Sequence, residues 1–259
     1  MDRFRLYVFD LDGTLVRGKE ALPHAVLVTE KLRADGAQIR YLTNNSSNTI
    51  AHYREKLTRL GFVVNEGEVY SSGLGAALYL SSAGKKTAFV IGMPGLVATM
   101  ADAGITVVNR DASLHVTPAG EQAEVVVVGL CLDFSYGLMA AAMDQIRNGA
   151  DFVATNTDAT FPLEGTKLVP GTGSIVAGVK ICSGRDPFVI GKPNPYLIQL
   201  ILRDTGCSPQ DALIVGDRLE TDIAAGVAAG CHTHLVLTGV TDVGPPGQSF
   251  SSDLLALIA

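Results

Sequence analysis

Short β-branched runs alternate with amphipathic helical segments along most of the chain, and that alternation restricts its fold more than any other feature. RLYVFD, QIRYLT, TAFVIG, ITVVN, EVVVVGL, DFVATN, DALIVGD and HTHLVL read as strands. AVLVTEKLRADG, TIAHYREKLTRLG and PNPYLIQLILRDTG read as helices, each ending in a glycine where a C-cap would sit. Alternating β and α units predict an α/β protein with a Rossmann-like, doubly wound and largely parallel sheet. Near-continuous apolar runs such as EVVVV fit strands covered on both faces.

With 259 residues and 47% hydrophobic content, the chain can build one large domain or two modest ones. A formal net charge of −6 leaves no basic field for a nucleic-acid polymer or an anionic membrane. Any anionic substrate is therefore expected to be held by a local site. No signal peptide and no apolar run of membrane-spanning length is evident. Cys131, Cys182, Cys207 and Cys231 are scattered without a CxxC pair, as in a reduced cytoplasmic protein.

In such sheets ligands sit beyond the carboxyl ends of the strands. Four of those ends carry chemistry. RLYVFD runs into Asp10-Leu-Asp12-Gly-Thr, and QIRYLT into Thr43-Asn44-Asn45-Ser46. FVIGKPNP delivers Lys192 before a proline-initiated helix, and DALIVGD carries Asp217 into GDRLETD, which reaches Asp222. Each has a bland counterpart: a turn, a helix N-cap, a surface bend, a solvated acidic loop. The set is much harder to explain that way, because a DxDGT after one apolar strand and a GDxxxxD after another, with a Thr and a Lys between them in that order, seldom occur together by chance.

These motifs, in this order, resemble those of the haloacid dehalogenase superfamily over nearly the whole chain. The segment ATNTDATFPLEGTKLVPGTGS (154–174) is similar to the cap of its NagD-like branch, which includes nucleotide, p-nitrophenyl phosphate, phosphoglycolate and pyridoxal phosphatases. The resemblance implies that Asp10 is the nucleophile of an aspartyl-phosphate mechanism and that Asp12 is the general acid and base. It implies a magnesium ion held by Asp10, the Asp12 backbone carbonyl and Asp217, with Asp222 orienting the metal's surroundings. Thr43, Asn44 and Lys192 would bind the phosphoryl oxygens. An acid at position 12 separates this chain from dehalogenases, which have no need of one there, and from the related ATPases, which carry threonine. A response-regulator receiver would be too short and gives Asp12 no role.

The 148 residues between Thr43 and Lys192 exceed any strand-to-strand connection. They predict a smaller α/β domain over 81–186 inserted into a core formed by 1–80 and 187–259. The resemblance makes the insert a cap that closes over the core and contributes substrate contacts, with Asn156 and Asp158 favoured for them. It is also the sole basis for expecting a homodimer through the cap. The expected function is a magnesium-dependent phosphatase acting on small phosphate monoesters, p-nitrophenyl phosphate among them, with a nucleotide monophosphate, phosphoglycolate, pyridoxal phosphate or sugar phosphate as the physiological candidates. A non-catalytic sensor of a phosphorylated metabolite is the alternative, and it has no use for Asp12. PGTGS lacks the third glycine of a dinucleotide fingerprint and reads as a helix start. His232 and His234 share a strand face without a third ligand, so a core or surface role is expected. Cys131 has no base beside it.

Overall fold

The computed structural model describes residues 3–110, 121–162 and 168–259. Residues 163–167, inside the 154–174 stretch, lie outside the described residues.

The chain divides into two compact units. The first comprises residues 1–43, 51–70 and 192–259. Its six-stranded sheet runs in the order Phe250–Ser251, His232–Val236, Ala212–Gly216, Leu6–Asp10, Gln38–Thr43, Val69–Ser71. Leu6–Asp10 pairs in parallel with Ala212–Gly216 on one side and Gln38–Thr43 on the other, with Asp10 opposite Leu42. That central strand is buried from Leu6 to Phe9, and accessibility begins at Asp10. A strand whose side chains point alternately into two helical layers must be apolar throughout, as LYVF is. The helices Ala25–Ala34, Ile50–Arg59 and Tyr196–Thr205 arise where the sequence predicts them. The last ends at Gly206, which takes the left-handed conformation (φ 64°) that glycine adopts without steric cost.

The second unit comprises residues 44–50 and 71–191. Its five-stranded sheet is ordered Phe188–Val189, Asp151–Ala154, Val125–Val128, Thr87–Ile91, Thr106–Val107, with every neighbouring pair parallel. The helices Tyr136–Arg147 and Thr172–Ser183 cover a core of Phe89, Val126, Val128, Ala142 and Val179. The division differs from the sequence-based boundaries at both edges. The helix Ser72–Ser82 packs with Pro94–Asp102, so residues 71–80 group with the second unit, as do 187–191.

Several short elements escape the sequence pattern. Val69–Ser71, Phe188–Val189 and Phe250–Ser251 are two- or three-residue edge strands, too brief to show periodicity. Beyond Thr106–Val107 a side chain continues the pairing: the buried Asn109 amide donates to the Val90 carbonyl (3.0 Å) and accepts from the Val90 amide (2.9 Å). The GxG of PGTGS opens the helix Thr172–Ser183, as expected. Its glycines are there for space, since a Cβ at Gly171 would meet the Asp158 carbonyl oxygen at 2.3 Å and one at Gly173 that of Thr157 at 2.4 Å.

His234 is a core residue. Its Nδ1 and Nε2 lie 2.8 Å from Ser249 Oγ and Ser251 Oγ, tying the last strand to its neighbour. Burial lowers its pKa below the ordinary 6.5, because the charged imidazolium is poorly solvated there. Between the lowered folded value and 6.5 the unfolded chain binds more protons, so stability is full above 6.5 and is lost as pH falls through that window. His234→Leu is expected to flatten this part of the pH dependence relative to wild type. It should also cost about 1–3 kcal/mol at pH 7.5, because Ser249 and Ser251 each lose the bond to the imidazole. Urea melts of both proteins at pH 7.5 and 5.5 check this; parallel pH slopes would show that His234 does not titrate on unfolding.

Candidate active site

Three acids and one lysine converge at the carboxyl ends of the central strands of the first unit. Asp10 ends Leu6–Asp10, and Asp217 follows Ala212–Gly216 directly. Asp222 lies on the helical turn Leu219–Ile223, and Lys192 is the first residue of the unit after the insert. Lys192 Nζ stands 2.6 Å from Asp10 Oδ1 and 2.5 Å from Asp222 Oδ1. One carboxylate oxygen from each of Asp10, Asp217 and Asp222 lies within 4.8 Å of the other two. Among the described residues no other His, Cys, Asp and Glu side chains converge in this way.

The cluster is almost dry: Lys192, Asp217 and Asp222 are 3%, 1% and 2% exposed. Burial pushes the Asp10 carboxyl well above the usual carboxylate range; Lys192 pulls it down, while Asp222 and Asp217 push it further up. Burial and then Asp222 raise Asp217 to about 6, against the pull of the Val240 amide. For Lys192, burial opposes the charge but Asp10 and Asp222 outweigh it, so its pKa is raised and it remains an ammonium. Three carboxylates around one ammonium would carry two uncompensated negative charges. At low dielectric that excess is resolved by binding protons or a cation.

The three acids differ in what else holds them. Asp222 is engaged at both oxygens, by Lys192 at Oδ1 and by the Arg218 amide at Oδ2 (3.0 Å). Asp217 Oδ2 accepts from the Val240 amide at 2.7 Å. Glycines let the backbone pass close to these carboxylates. A Cβ on Gly216 would sit 2.2 Å from Asp222 Cβ, and one on Gly13, whose φ is 96°, 2.5 Å from Asp217 Oδ2.

Asp12 is apart from the buried cluster. Its side chain is 48% exposed, and Lys56 Nζ, on the helix Ile50–Arg59, lies 3.7 Å from its Oδ1. Two residues of separation would put both carboxylates on one face of a regular strand. The chain leaves the strand at Asp10 and turns, with the Gly13 amide bonded to the Val16 carbonyl (2.9 Å). Thr43 is buried at the end of Gln38–Thr43, one residue beyond the partner of Asp10.

Asn44, Asn156 and Asp158 belong to the second unit and meet there. Asn44 Nδ2 donates to Asp158 Oδ1 at 3.2 Å, and Asn156 Nδ2 donates to the Asn44 carbonyl at 2.7 Å. Asn156 Oδ1 accepts from the Asp158 amide at 3.1 Å, and Ser72 Oγ also donates to the Asn44 carbonyl. Asn156 is thus buried and bonded at both ends of its amide, whereas Asp158 is half-buried. Lys56, Gly216, Gly239 and the Val240 amide are site residues that sequence reasoning missed. Of these, Gly216 alone left a signal, as the first residue of GDRLETD, though without a role of its own.

A parallel α/β core with strand-end acids around a buried lysine has its counterpart among known hydrolases. Residues 7–106 match the family model of haloacid dehalogenase-like hydrolases, and 189–252 match a second model of the same family. The chain belongs to the haloacid dehalogenase-like hydrolases, in the branch of NagD and the p-nitrophenyl phosphatases. Human (Homo sapiens) glycerol-3-phosphate phosphatase is 35% identical, over 96% of this chain and 84% of its own. A p-nitrophenyl phosphatase from Archaeoglobus fulgidus superposes with a TM-score of 0.88 at 29% identity, over 99% of both chains. Glycerol phosphate phosphatase Rv1692 from Mycobacterium tuberculosis, in complex with magnesium, superposes with a TM-score of 0.84 at 32% identity, over 98% of this chain and 77% of its own.

The glycine packing yields a prediction. Gly216→Ala should destabilise the protein by about 1–3 kcal/mol, because the new methyl must displace the buried Asp222. Gly137, in the helix Tyr136–Arg147, has only Ser135 Oγ, at 3.8 Å, near its Cβ direction. Gly137→Ala should therefore stabilise by roughly 0.5–1 kcal/mol. Urea midpoints of both variants test this, and equal effects would mean that Gly216 is not needed for space.

Proposed function

We propose that the protein is a magnesium-dependent phosphatase that hydrolyses small phosphate monoesters through an aspartyl-phosphate on Asp10. The observation that carries this reading is the buried Asp10–Lys192–Asp222–Asp217 cluster with Asp12 outside it. The donor set fits magnesium: hard carboxylate oxygens, converging, with an unmatched negative charge. Asp10, the Asp12 backbone carbonyl and Asp217 would hold the ion. Asp222, with both oxygens already engaged, would orient rather than ligate. When bound, the ion supplies positive charge that lets a phosphate dianion approach these carboxylates.

The chain's own residues account for the two half-reactions. Asp10 attacks phosphorus through a carboxylate oxygen as the bond to the ester oxygen breaks. Asp12 gives its proton to the departing alkoxide. Water then attacks phosphorus, Asp12 takes a proton from it, and the acyl-phosphate bond breaks to free phosphate and Asp10. Lys192 opposes protonation of the Asp10 carboxylate it contacts and, with Thr43, faces the charge on the phosphoryl oxygens. A separate, half-exposed Asp12 supports the division of labour, since its carboxyl is not committed to Lys192 or to the proposed metal ligands and is left for proton transfer.

Asn44 is part of the same proposal as a phosphate-side donor, with its amide shared with Asp158. The insert is proposed to act as a cap, with Asp158, backed by Asn156, setting which ester is preferred. Relatives acting on glycerol phosphate and on p-nitrophenyl phosphate support a shared chemistry with a variable alcohol. Exposed Leu132, Tyr136, Leu168 and Ile181 support a homodimer through this unit. Four free cysteines support a reducing, cytoplasmic setting, and no described helix is long and apolar enough to cross a membrane.

Asp10→Asn should abolish turnover in a folded protein. Asp12→Asn should slow an alkyl phosphate by about 10²–10⁴-fold but leave phospho-enzyme formation from p-nitrophenyl phosphate much less affected, giving a burst. Rapid-quench kinetics on both esters is the test, and equal slowing without a burst would remove Asp12 from the acid role.

Magnesium affinity should depend on pH. Asp217, at about 6 without the ion, must be deprotonated to ligate, so below pH 6 binding displaces a proton and weakens by up to about tenfold per pH unit. Calorimetric titration of the substrate-free protein at pH 7, 6 and 5 reads this directly. A flat affinity over that range would exclude Asp217 as the titrating ligand.

A further inference from the structure

The segment Leu237–Thr241, LTGVT, follows the strand His232–Val236 and holds no residue with an assigned role in the reaction. It grips the site from two sides. The Val240 amide donates to Asp217 Oδ2 at 2.7 Å, and the Thr241 amide to the Asp217 carbonyl at 3.2 Å. Thr238 Oγ1 donates to the Gly13 carbonyl at 2.7 Å, inside the turn that carries Asp12. Arg17 Nη2 donates to the Thr238 carbonyl at 2.5 Å, closing the loop back onto the residues that follow that turn.

Gly239 sits where the segment presses hardest on Asp217. A Cβ there would stand 1.9 Å from Asp217 Oδ2 and 2.6 Å from its Cβ. Gly239 is not among the glycines with positive φ, so the position requires space rather than a left-handed backbone. Asp217 cannot swing away cheaply, because it is buried and its backbone carbonyl is held by the same segment. One carboxylate oxygen committed to an amide stops rotation about the Cβ–Cγ bond and so fixes the direction of the other.

We infer that Leu237–Thr241 is a clasp that orients Asp217 and the Asp10–Thr14 turn together toward a divalent cation, with Thr238 and Gly239 as its positioning residues. The inference rests on the proposed reading of Asp217 as a metal ligand. A plain turn after a strand needs neither a threonine hydroxyl bonded to a carbonyl 225 residues away nor a methyl-sized clearance over a carboxylate. Outer groups that hold a ligand in place typically govern metal affinity by about 10–100-fold when lost.

The test uses the full chain without substrate and measures Mg²⁺ affinity by calorimetry, with urea melts alongside. Thr238→Val, nearly isosteric, and Gly239→Ala should each weaken Mg²⁺ binding by about 10–100-fold, and Thr238→Ser should restore it. Asp217→Asn is the control for the ligand itself. Loss of affinity in Asp217→Asn with wild-type affinity in folded Thr238→Val and Gly239→Ala, whatever their urea midpoints, would overturn the clasp alone. Wild-type affinity in Asp217→Asn would overturn the ligand assignment, and the clasp with it.

Discussion

One ammonium, Lys192, lies between Asp10 and Asp222 at the dry end of the central sheet, with Asp217 close by. The rest of the catalytic unit is arranged around that imbalance. The strands Leu6–Asp10 and Ala212–Gly216 bring Asp10 and Asp217 to the same edge from positions 207 residues apart, and the helical turn after the second adds Asp222. Helical layers exclude the water that would otherwise screen the charges. Amides at Arg218 and Val240 take up single carboxylate oxygens without adding countercharge. The result is an acid cluster held rigidly enough to remain unmatched, the condition under which a small divalent cation binds in preference to relaxation of the side chains.

The same imbalance separates the two aspartates of DLDGT. Had the strand continued past Asp10, both carboxylates would have entered the buried cluster and competed for Lys192. The turn at Gly13 takes Asp12 out to a half-exposed position beside Lys56. Burial, more than residue type, distinguishes the two acids.

The strand ends were legible because they combine two strong signals: an apolar run of strand length and polar groups placed where an α/β sheet binds ligands. Asp10, Thr43 and Asp217 follow from that conjunction, Asp222 and Lys192 from their place in the ordered motif set, and the presence of an insert from simple spacing. Lys56 was not legible, because a lysine on an amphipathic helix reads as solvated until tertiary structure brings it to Asp12. Gly239 and Val240 act through a backbone amide and an absent side chain, neither of which has a sequence signature. The limits of the insert were blurred for a related reason: Ser72–Ser82 is an ordinary helix, and only its packing against Pro94–Asp102 assigns it to the second unit. Asn156 drew notice as a polar residue at a strand end, and in the structure its amide is used up within that loop.

Asn109 has a consequence of another kind. By matching both backbone groups of Val90 with one side chain, it carries the pairing of Thr87–Ile91 beyond its two-residue partner Thr106–Val107. A pairing completed in this way depends on a single codon instead of on a stretch of compatible sequence. A change there would leave the amide and carbonyl of Val90 without their match, so the position admits fewer residues than its place beyond a two-residue strand suggests.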